Sequence, residues 1–143
     1  MISIRHLAAG AAAGLLAIAT AQAQDSPLVG SWQATHPAGR DGPGFVSTTT
    51  YAPNGGFYYE MAIAPGPGAA GGVLRTQGQY RMTGPGTVQV IYADSMLCGA
   101  GTGCMPAPAA YAPMPGSSMS FNFQFRGNGQ LVAEDGTVFV RVR

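Results

Sequence analysis

Apolar and polar residues alternate in short stretches along most of the chain after residue 27. The clearest stretch is 119–126, in which Phe121, Phe123 and Phe125 alternate with polar side chains. A period of two over about four to eight residues is typical of a β-strand with one buried and one solvated face. This pattern, together with the β-branched residues at 45–51, predicts strands at 28–35, 45–51, 57–63, 73–82, 87–93, 119–126, 130–134 and 137–143.

The chain has 22 glycines and 11 prolines, and most of them lie between these stretches. Four short turns each separate two predicted strands, at 53–56, 84–86, 127–129 and 135–136. Because Asn-Gly and Asp-Gly tolerate the positive φ of tight hairpins, neighbouring strands are expected to pair antiparallel. After residue 23 no stretch has a helical period, so the sequence predicts an all-β domain with up-and-down strand order.

Two predicted connections are longer than the rest. Residues 64–72 consist mainly of Gly, Ala and Pro, and residues 94–118 form a Pro-, Ala- and Met-rich segment that contains two cysteines. Both exceed the usual loop length of about 4–6 residues. Loops as long as 94–118 are either functional lids or flexible insertions, and both alternatives stay open.

The first 23 residues differ from everything that follows. Arg5 precedes an uncharged apolar run at 7–20, which ends in an Ala-Gln-Ala site at Ala23. These are the parts of a Sec-type signal peptide, and the run is shorter than the ~20 residues of a membrane span. We expect cleavage after Ala23, no stable membrane anchor afterwards, and a mature domain at 24–143 in the periplasm or outside the cell.

Charge narrows the choice of partners. The chain carries seven basic residues, all Arg, against six acidic ones, and only 9% of its residues are charged. A nucleic-acid-binding surface needs a concentration of positive charge, which this balance does not supply. No nucleic acid is therefore expected as a partner, and the sequence names no protein partner.

The two cysteines, Cys98 and Cys104, are six residues apart in the long segment. In an oxidising compartment two cysteines this close predict a disulfide. Met96 and Met105 flank them and offer an alternative, a soft-metal site. Because the methionine spacing is irregular and no histidine joins it, the disulfide is preferred, and no metal or other cofactor is expected.

Residues with catalytic chemistry are scarce. His36 is the single histidine of the mature chain and is expected in an exposed loop. No serine or cysteine lies in a recognisable nucleophile motif, and the carboxylates fall mostly at strand ends and turns. Hydrolysis by paired carboxylates needs two acids that converge on one bond, which their spacing does not suggest. We therefore expect a protein that is not an enzyme and has no catalytic residues.

Aromatic residues on the predicted inner faces allow two interpretations. They either fill a packed core or line a cavity for a small apolar ligand, and their presence alone does not discriminate between the two. The candidate ligand-binding residues are Tyr59, Tyr80, Tyr92, Phe121, Phe123 and Phe125.

Several short motifs, taken in order, resemble those of one family. Leu28-Val29-Gly30-Ser31-Trp32 is similar to the Leu-x-Gly-x-Trp opening of small bacterial lipocalin-like domains of the calycin superfamily. The hairpin at 51–57, the Gly-x-Tyr at 78–80 and the last strand at 138–141 resemble later parts of such domains. The resemblance implies an antiparallel up-and-down β-barrel of about eight strands.

The resemblance also implies how the base of that barrel closes. Gly30, Trp32 and Arg141 would form the closure, with the Arg141 guanidinium over the Trp32 ring. If Arg141 points into the barrel, Phe139 lies on the same inner face of the last strand. Val138, Val140 and Val142 then point outside; this choice of inner face is called the phase of the strand. Apolar alternation alone favours the opposite phase, so both phases of the last strand stay open.

For function, the resemblance implies an exported protein that binds a small hydrophobic or amphipathic molecule without catalysis. The alternative is a non-catalytic structural or protein-interaction module of the cell envelope with a filled barrel core. The two hypotheses differ in whether the barrel is hollow, and the sequence does not identify a ligand for the first.

Overall fold

The computed structural model describes residues 26–38, 44–65, 71–127 and 129–142. The predicted signal peptide, residues 1–23, lies outside the described residues, as does Asn128 of one predicted turn. The described part contains nine strands and no helix, so no helix there could cross a membrane. The strands are β1 (Gly30–His36), β2 (Phe45–Tyr51), β3 (Gly56–Ile63), β4 (Gly72–Gly84), β5 (Thr87–Gly99), β6 (Gly103–Pro106), β7 (Ser118–Arg126), β8 (Gln130–Ala133) and β9 (Val138–Val142).

Eight of these strands close into an antiparallel barrel. Each barrel strand pairs with the next barrel strand along the chain, and β9 returns to pair with β1. The ninth strand, β6, pairs with the second half of β5. The prediction of an all-β, up-and-down barrel is confirmed, and closure leaves few of the exposed strand edges that promote aggregation.

The segment at 94–118, predicted as a loop, is half strand. β5 continues to Gly99, and β6 folds back on it through the turn at 100–102. A β-bulge hides this continuation, because Gln77 pairs with Asp94 and Gly78 pairs with Tyr92, which leaves Ala93 without a partner. The extra residue shifts the alternation of inward and outward side chains by one position. The period-two pattern is therefore interrupted at the bulge, although the strand itself continues.

Gly78 is needed for the close approach of β4 and β5 at this bulge. A Cβ atom on Gly78 would collide with the carbonyl oxygen of Ile91. Both fixed residues of the Gly-x-Tyr motif at 78–80 therefore have a structural role at this bulge. Its glycine admits the neighbouring backbone, and Tyr80 returns to the buried inner face.

The buried core occupies the inside of the barrel and is rich in aromatic rings. Its members are Leu28, Trp32, Tyr51, Phe57, Tyr80, Val88, Val90, Tyr92 and Leu131. The inner faces that alternation predicts for β3, β4 and β5 agree with the observed burial, as far as the bulge in β5.

The base of the barrel is closed by the residues that precede β1 and by β9. The Trp32 indole N–H donates to the Leu28 carbonyl over 2.8 Å, and Leu28 is fully buried. The Arg141 guanidinium carbon lies 4.3 Å from the Trp32 ring centroid. The guanidinium also donates to the carbonyls of Pro27, over 2.7 Å, and Val29, over 2.8 Å.

Gly30 makes room for this closure. Its φ of +134° favours glycine, and a Cβ there would lie 2.6 Å from Arg141 Nη1. The glycine of the opening motif thus admits the arginine of the last strand.

The contact between Arg141 and Trp32 determines which face of β9 points into the barrel. Phe139 lies inside, and Val138, Val140 and Val142 are 43%, 50% and 40% exposed. The phase that apolar alternation favours is therefore wrong for this strand.

Candidate functional site

A cavity of about 400 Å³ lies inside the barrel and opens beside the segment that follows β6. Its walls come from five strands, β2, β3, β4, β5 and β7, and from that segment. The lining residues are Tyr51, Phe57, Tyr59, Met61, Leu74, Thr76, Tyr92, Tyr111, Pro113, Met119 and Phe121. None of these described lining residues carries a charge.

Strand β7 shows most directly that protein atoms do not fill this space. Met119 and Phe121 lie opposite Val90 and Val88 in the β5–β7 ladder. The two valines are fully buried, whereas Met119 is 51% and Phe121 38% exposed. Apolar side chains on the inner face of a filled barrel would be buried like the valines.

A smaller cavity of about 80 Å³ adjoins the first one toward the base. Tyr51 and Phe121 line both spaces. Trp32, Phe123 and Phe139 line the smaller one. The interior therefore has a wide compartment near the opening and a narrow pocket above the closed base.

The six candidate ligand-binding residues are divided between several places. Tyr59, Tyr92 and Phe121 line the large cavity, and Phe123 lines the small one. Tyr80 lies in the core, where its hydroxyl donates to the Ala52 carbonyl over 3.0 Å. Phe125 meets the Trp32 ring edge-on at a centroid distance of 6.3 Å. Neither Tyr80 nor Phe125 is among the described residues that line these two cavities.

Sequence reasoning missed several lining residues. Met61 and Leu74 lay on the predicted inner faces and could have been found by extending the aromatic set to aliphatic neighbours. Tyr111 and Pro113 could not have been found in this way, because their segment has no periodic pattern that assigns a direction to a side chain.

Polar groups in the cavity wall are neutral hydroxyls. Burial raises the pKa of Tyr51, Tyr59 and Tyr92, and a hydrogen bond with Ser47 partly offsets the rise at Tyr59. These phenols are therefore protonated at neutral pH and available as hydrogen-bond donors. Thr76 shares a hydrogen bond of 2.9 Å with Ser95. Such a wall suits an uncharged ligand that has a few polar atoms.

His36 is not the exposed loop residue that the sequence led us to expect. It ends β1, is half-buried, and stacks on Phe45 at a centroid distance of 4.1 Å. Its Nε2 lies 3.4 Å from Ser47 Oγ. Among the described residues, no three His, Cys, Asp or Glu side chains come together as a metal site would require.

Residues 107–117, here called the mouth segment, run along the opening of the large cavity. The Ala107 amide donates to the Ser95 carbonyl over 2.8 Å, and the Gly116 amide donates to the Tyr92 carbonyl over 2.7 Å. Between these anchors, Tyr111 and Pro113 reach the cavity wall. The mouth segment is thus held to β5 at both ends.

The predicted disulfide is present and lies just before the mouth segment. Cys98 and Cys104 face each other across the β5–β6 hairpin with an S–S distance of 2.04 Å. The bond ties β6, and with it the start of the mouth segment, to the barrel wall. A disulfide is consistent with an extracellular or periplasmic location.

Comparison with family models, with curated proteins and with solved structures gave no match. The resemblance to lipocalin-like domains therefore rests on the ordered motifs, and the closed antiparallel barrel is compatible with it.

Proposed function

We propose that this chain is an exported lipocalin-like protein that holds one small, uncharged hydrophobic or amphipathic molecule inside its barrel. The observation that carries the proposal is the cavity of about 400 Å³, into which Met119 and Phe121 point from β7. Binding sites for small molecules are usually pre-formed, mostly apolar spaces of about 300–1,000 Å³ with a few polar groups.

The lining supports an uncharged ligand in particular. A carboxylate or ammonium group in this cavity would lose its hydration without gaining a charged partner from the lining residues. Tyr59, Thr76 and Tyr92 offer hydroxyls that can orient a ligand with one or two polar atoms. The proposal involves binding without catalysis, and it requires no cofactor.

The alternative is a cell-envelope module with a filled core. A filled core predicts buried side chains along the whole inner face of β7. Met119 and Phe121 are exposed and also line the large cavity, which favours the hollow barrel over this alternative. An exported location agrees with the disulfide and with the signal peptide expected at residues 1–23.

A fluorescence titration with N-phenyl-1-naphthylamine, a neutral apolar probe, tests the proposal. We expect saturable binding at one site, weakened at least about tenfold by Phe121→Trp, which adds volume inside the cavity. Val140→Trp makes a similar change on the exposed outer face and should leave the affinity unchanged. Native mass spectrometry of protein purified gently from its own source would show an endogenous ligand as an added mass that denaturation removes.

Either of two results would count against the proposal. One is the absence of saturable probe binding together with a bare protein mass. The other is equal affinity in wild type and Phe121→Trp, with both proteins shown to be folded by circular dichroism.

A further inference from the structure

A second concave surface lies on the outer face of the barrel, on the opposite side of the sheet from the cavity. It is a groove of about 450 Å³ that crosses β2, β3, β4 and β5 and ends at the disulfide. Its floor consists of two rows of directly paired residues. The first row is Thr50, Tyr58, Gln77 and Asp94, and the second is Thr48, Glu60, Arg75 and Met96.

The ladder geometry gives the size of this floor. Neighbouring strands are ~4.8 Å apart and residues two positions apart on a strand are ~6.8 Å apart. Each row of four residues therefore extends ~14 Å across the sheet, and the two rows are separated by ~7 Å. The groove is elongated and shallow, which suits a short chain molecule better than a compact one.

Hydrogen bonds hold the planar side chains of the groove in place. Arg75 Nε donates to Glu60 Oε2 over 2.9 Å, and Gln77 Nε2 donates to Asp94 Oδ2 over 3.1 Å. Each of these four groups carries further polar atoms that these two bonds do not use. Because both members of the Arg75–Glu60 ion pair are more than half exposed, the pair contributes little to stability.

Tyr58 adds an aromatic surface to this polar floor. Its side chain lies in the middle of the first row and is 51% exposed. The ring leans back over Gly56, where a Cβ would approach Tyr58 Cε2 to 3.3 Å. An aromatic ring with so much exposed surface offers an apolar contact beside groups that donate and accept hydrogen bonds.

We propose that this outer groove binds a short, uncharged oligosaccharide. A sugar ring presents an apolar C–H face, which the Tyr58 ring can cover, and pairs of neighbouring hydroxyls, which planar carboxylate, amide and guanidinium groups can bond two at a time. Two acids and one arginine lie in the rows, so the groove has no excess positive charge for a polyanion.

The test is an NMR titration of the ¹⁵N-labelled protein with cellotetraose, chitotetraose and maltotetraose, each up to about 10 mM. We expect at least one of them to shift the amide signals of Tyr58, Gln77 and Asp94 in a saturable manner. Tyr58→Ala should weaken this binding at least about tenfold, and Tyr58→Phe, which keeps the ring, should retain most of it. Glu60→Gln should weaken binding while the thermal midpoint changes little.

Tyr111→Ala is the matched control, because it removes a second exposed tyrosine ring from the mouth segment instead of the groove. It should leave saccharide binding unchanged, and Tyr58→Ala should leave N-phenyl-1-naphthylamine binding unchanged. This reciprocal control separates a failure of the groove proposal from a failure of the cavity proposal.

The groove proposal is overturned if none of the three saccharides shifts these amides, if the shifts map elsewhere, or if Tyr58→Ala binds like wild type. A peptide such as tetraglycine that shifts the same amides when the saccharides do not would assign the groove to another ligand class.

Discussion

The closure of the barrel base gives the most direct test of the structural argument. Replacement of Arg141 by Met keeps an unbranched apolar stem over the Trp32 ring but removes the charge and all the guanidinium donors. The change therefore isolates the cation–π contact and the two hydrogen bonds to Pro27 and Val29 from the packing of the side chain.

The expected loss can be estimated from these contacts. A cation–π pair contributes about 0.5–2 kcal/mol, depending on how far it is desolvated. Each hydrogen bond to a partly exposed carbonyl contributes about 1 kcal/mol net. We therefore expect Arg141→Met to lower the free energy of unfolding by about 2.5–4 kcal/mol, which is a large part of the ~5–15 kcal/mol of a typical domain.

Urea unfolding followed by the fluorescence of Trp32, the single tryptophan of the chain, measures this loss. Arg126→Met is the matched control, because Arg126 is an exposed residue at the end of β7. It should change the free energy of unfolding by no more than about 0.5 kcal/mol. The account of the closure would be refuted if Arg141→Met cost no more than Arg126→Met at the same m-value.

Two further predictions follow from the core and from the disulfide. Burial raises the pKa of Tyr51 above its ordinary value of 10.0, so the unfolded state releases this proton first as the pH rises. Stability should be intact below pH 10.0 and fall above it by up to about 1.4 kcal/mol per pH unit for this residue. Urea unfolding at alkaline pH should show a shallower fall for Tyr51→Phe, and equal slopes would contradict the argument. The Cys98→Ser/Cys104→Ser double variant should lose only about 2 kcal/mol of stability, because the bridged loop is short. It should nevertheless bind N-phenyl-1-naphthylamine several-fold more weakly if β6 positions the mouth segment, and unchanged affinity would argue against that role.

The sequence predicted the barrel strands well because most of the eight stretches alternate, 45–51 is rich in β-branched residues, and four recognisable turns separate neighbouring strands. It failed where the alternation shifts. At Ala93 the bulge moves the inner face of β5 by one position, so the continuation to Gly99 and the pairing with β6 were not predicted.

The two candidate sites depend on information that alternation does not contain. Alternation placed Tyr59 and Tyr92 inside but gave no volume, so it could not distinguish a cavity from a packed core. The outer groove requires Tyr58 to lie opposite Gln77 and Gln77 opposite Asp94. These pairs depend on strand register, which the hydrophobic pattern of a single strand leaves unspecified. Tyr111 comes from a segment without a period, and only the three-dimensional structure places it at the opening.

The phase of β9 shows why counting apolar residues can fail. The opposite phase would bury Val138, Val140 and Val142 more fully, but these valines are already about half buried, and full burial of a valine is worth about 1.5–3 kcal/mol. The further gain is therefore about 0.8–1.5 kcal/mol for each valine, or about 2.4–4.5 kcal/mol in total. The same flip would remove the partly buried Phe139 from the interior, at a cost of about 1–2.5 kcal/mol, and Arg141 from Trp32, at about 2.5–4 kcal/mol. Because side chains alternate strictly, β9 cannot keep Arg141 at the base and also turn its valines inward. The contacts of Phe139 and Arg141 together outweigh the three valines, and the exposed apolar stripe on the outside of the barrel is the consequence.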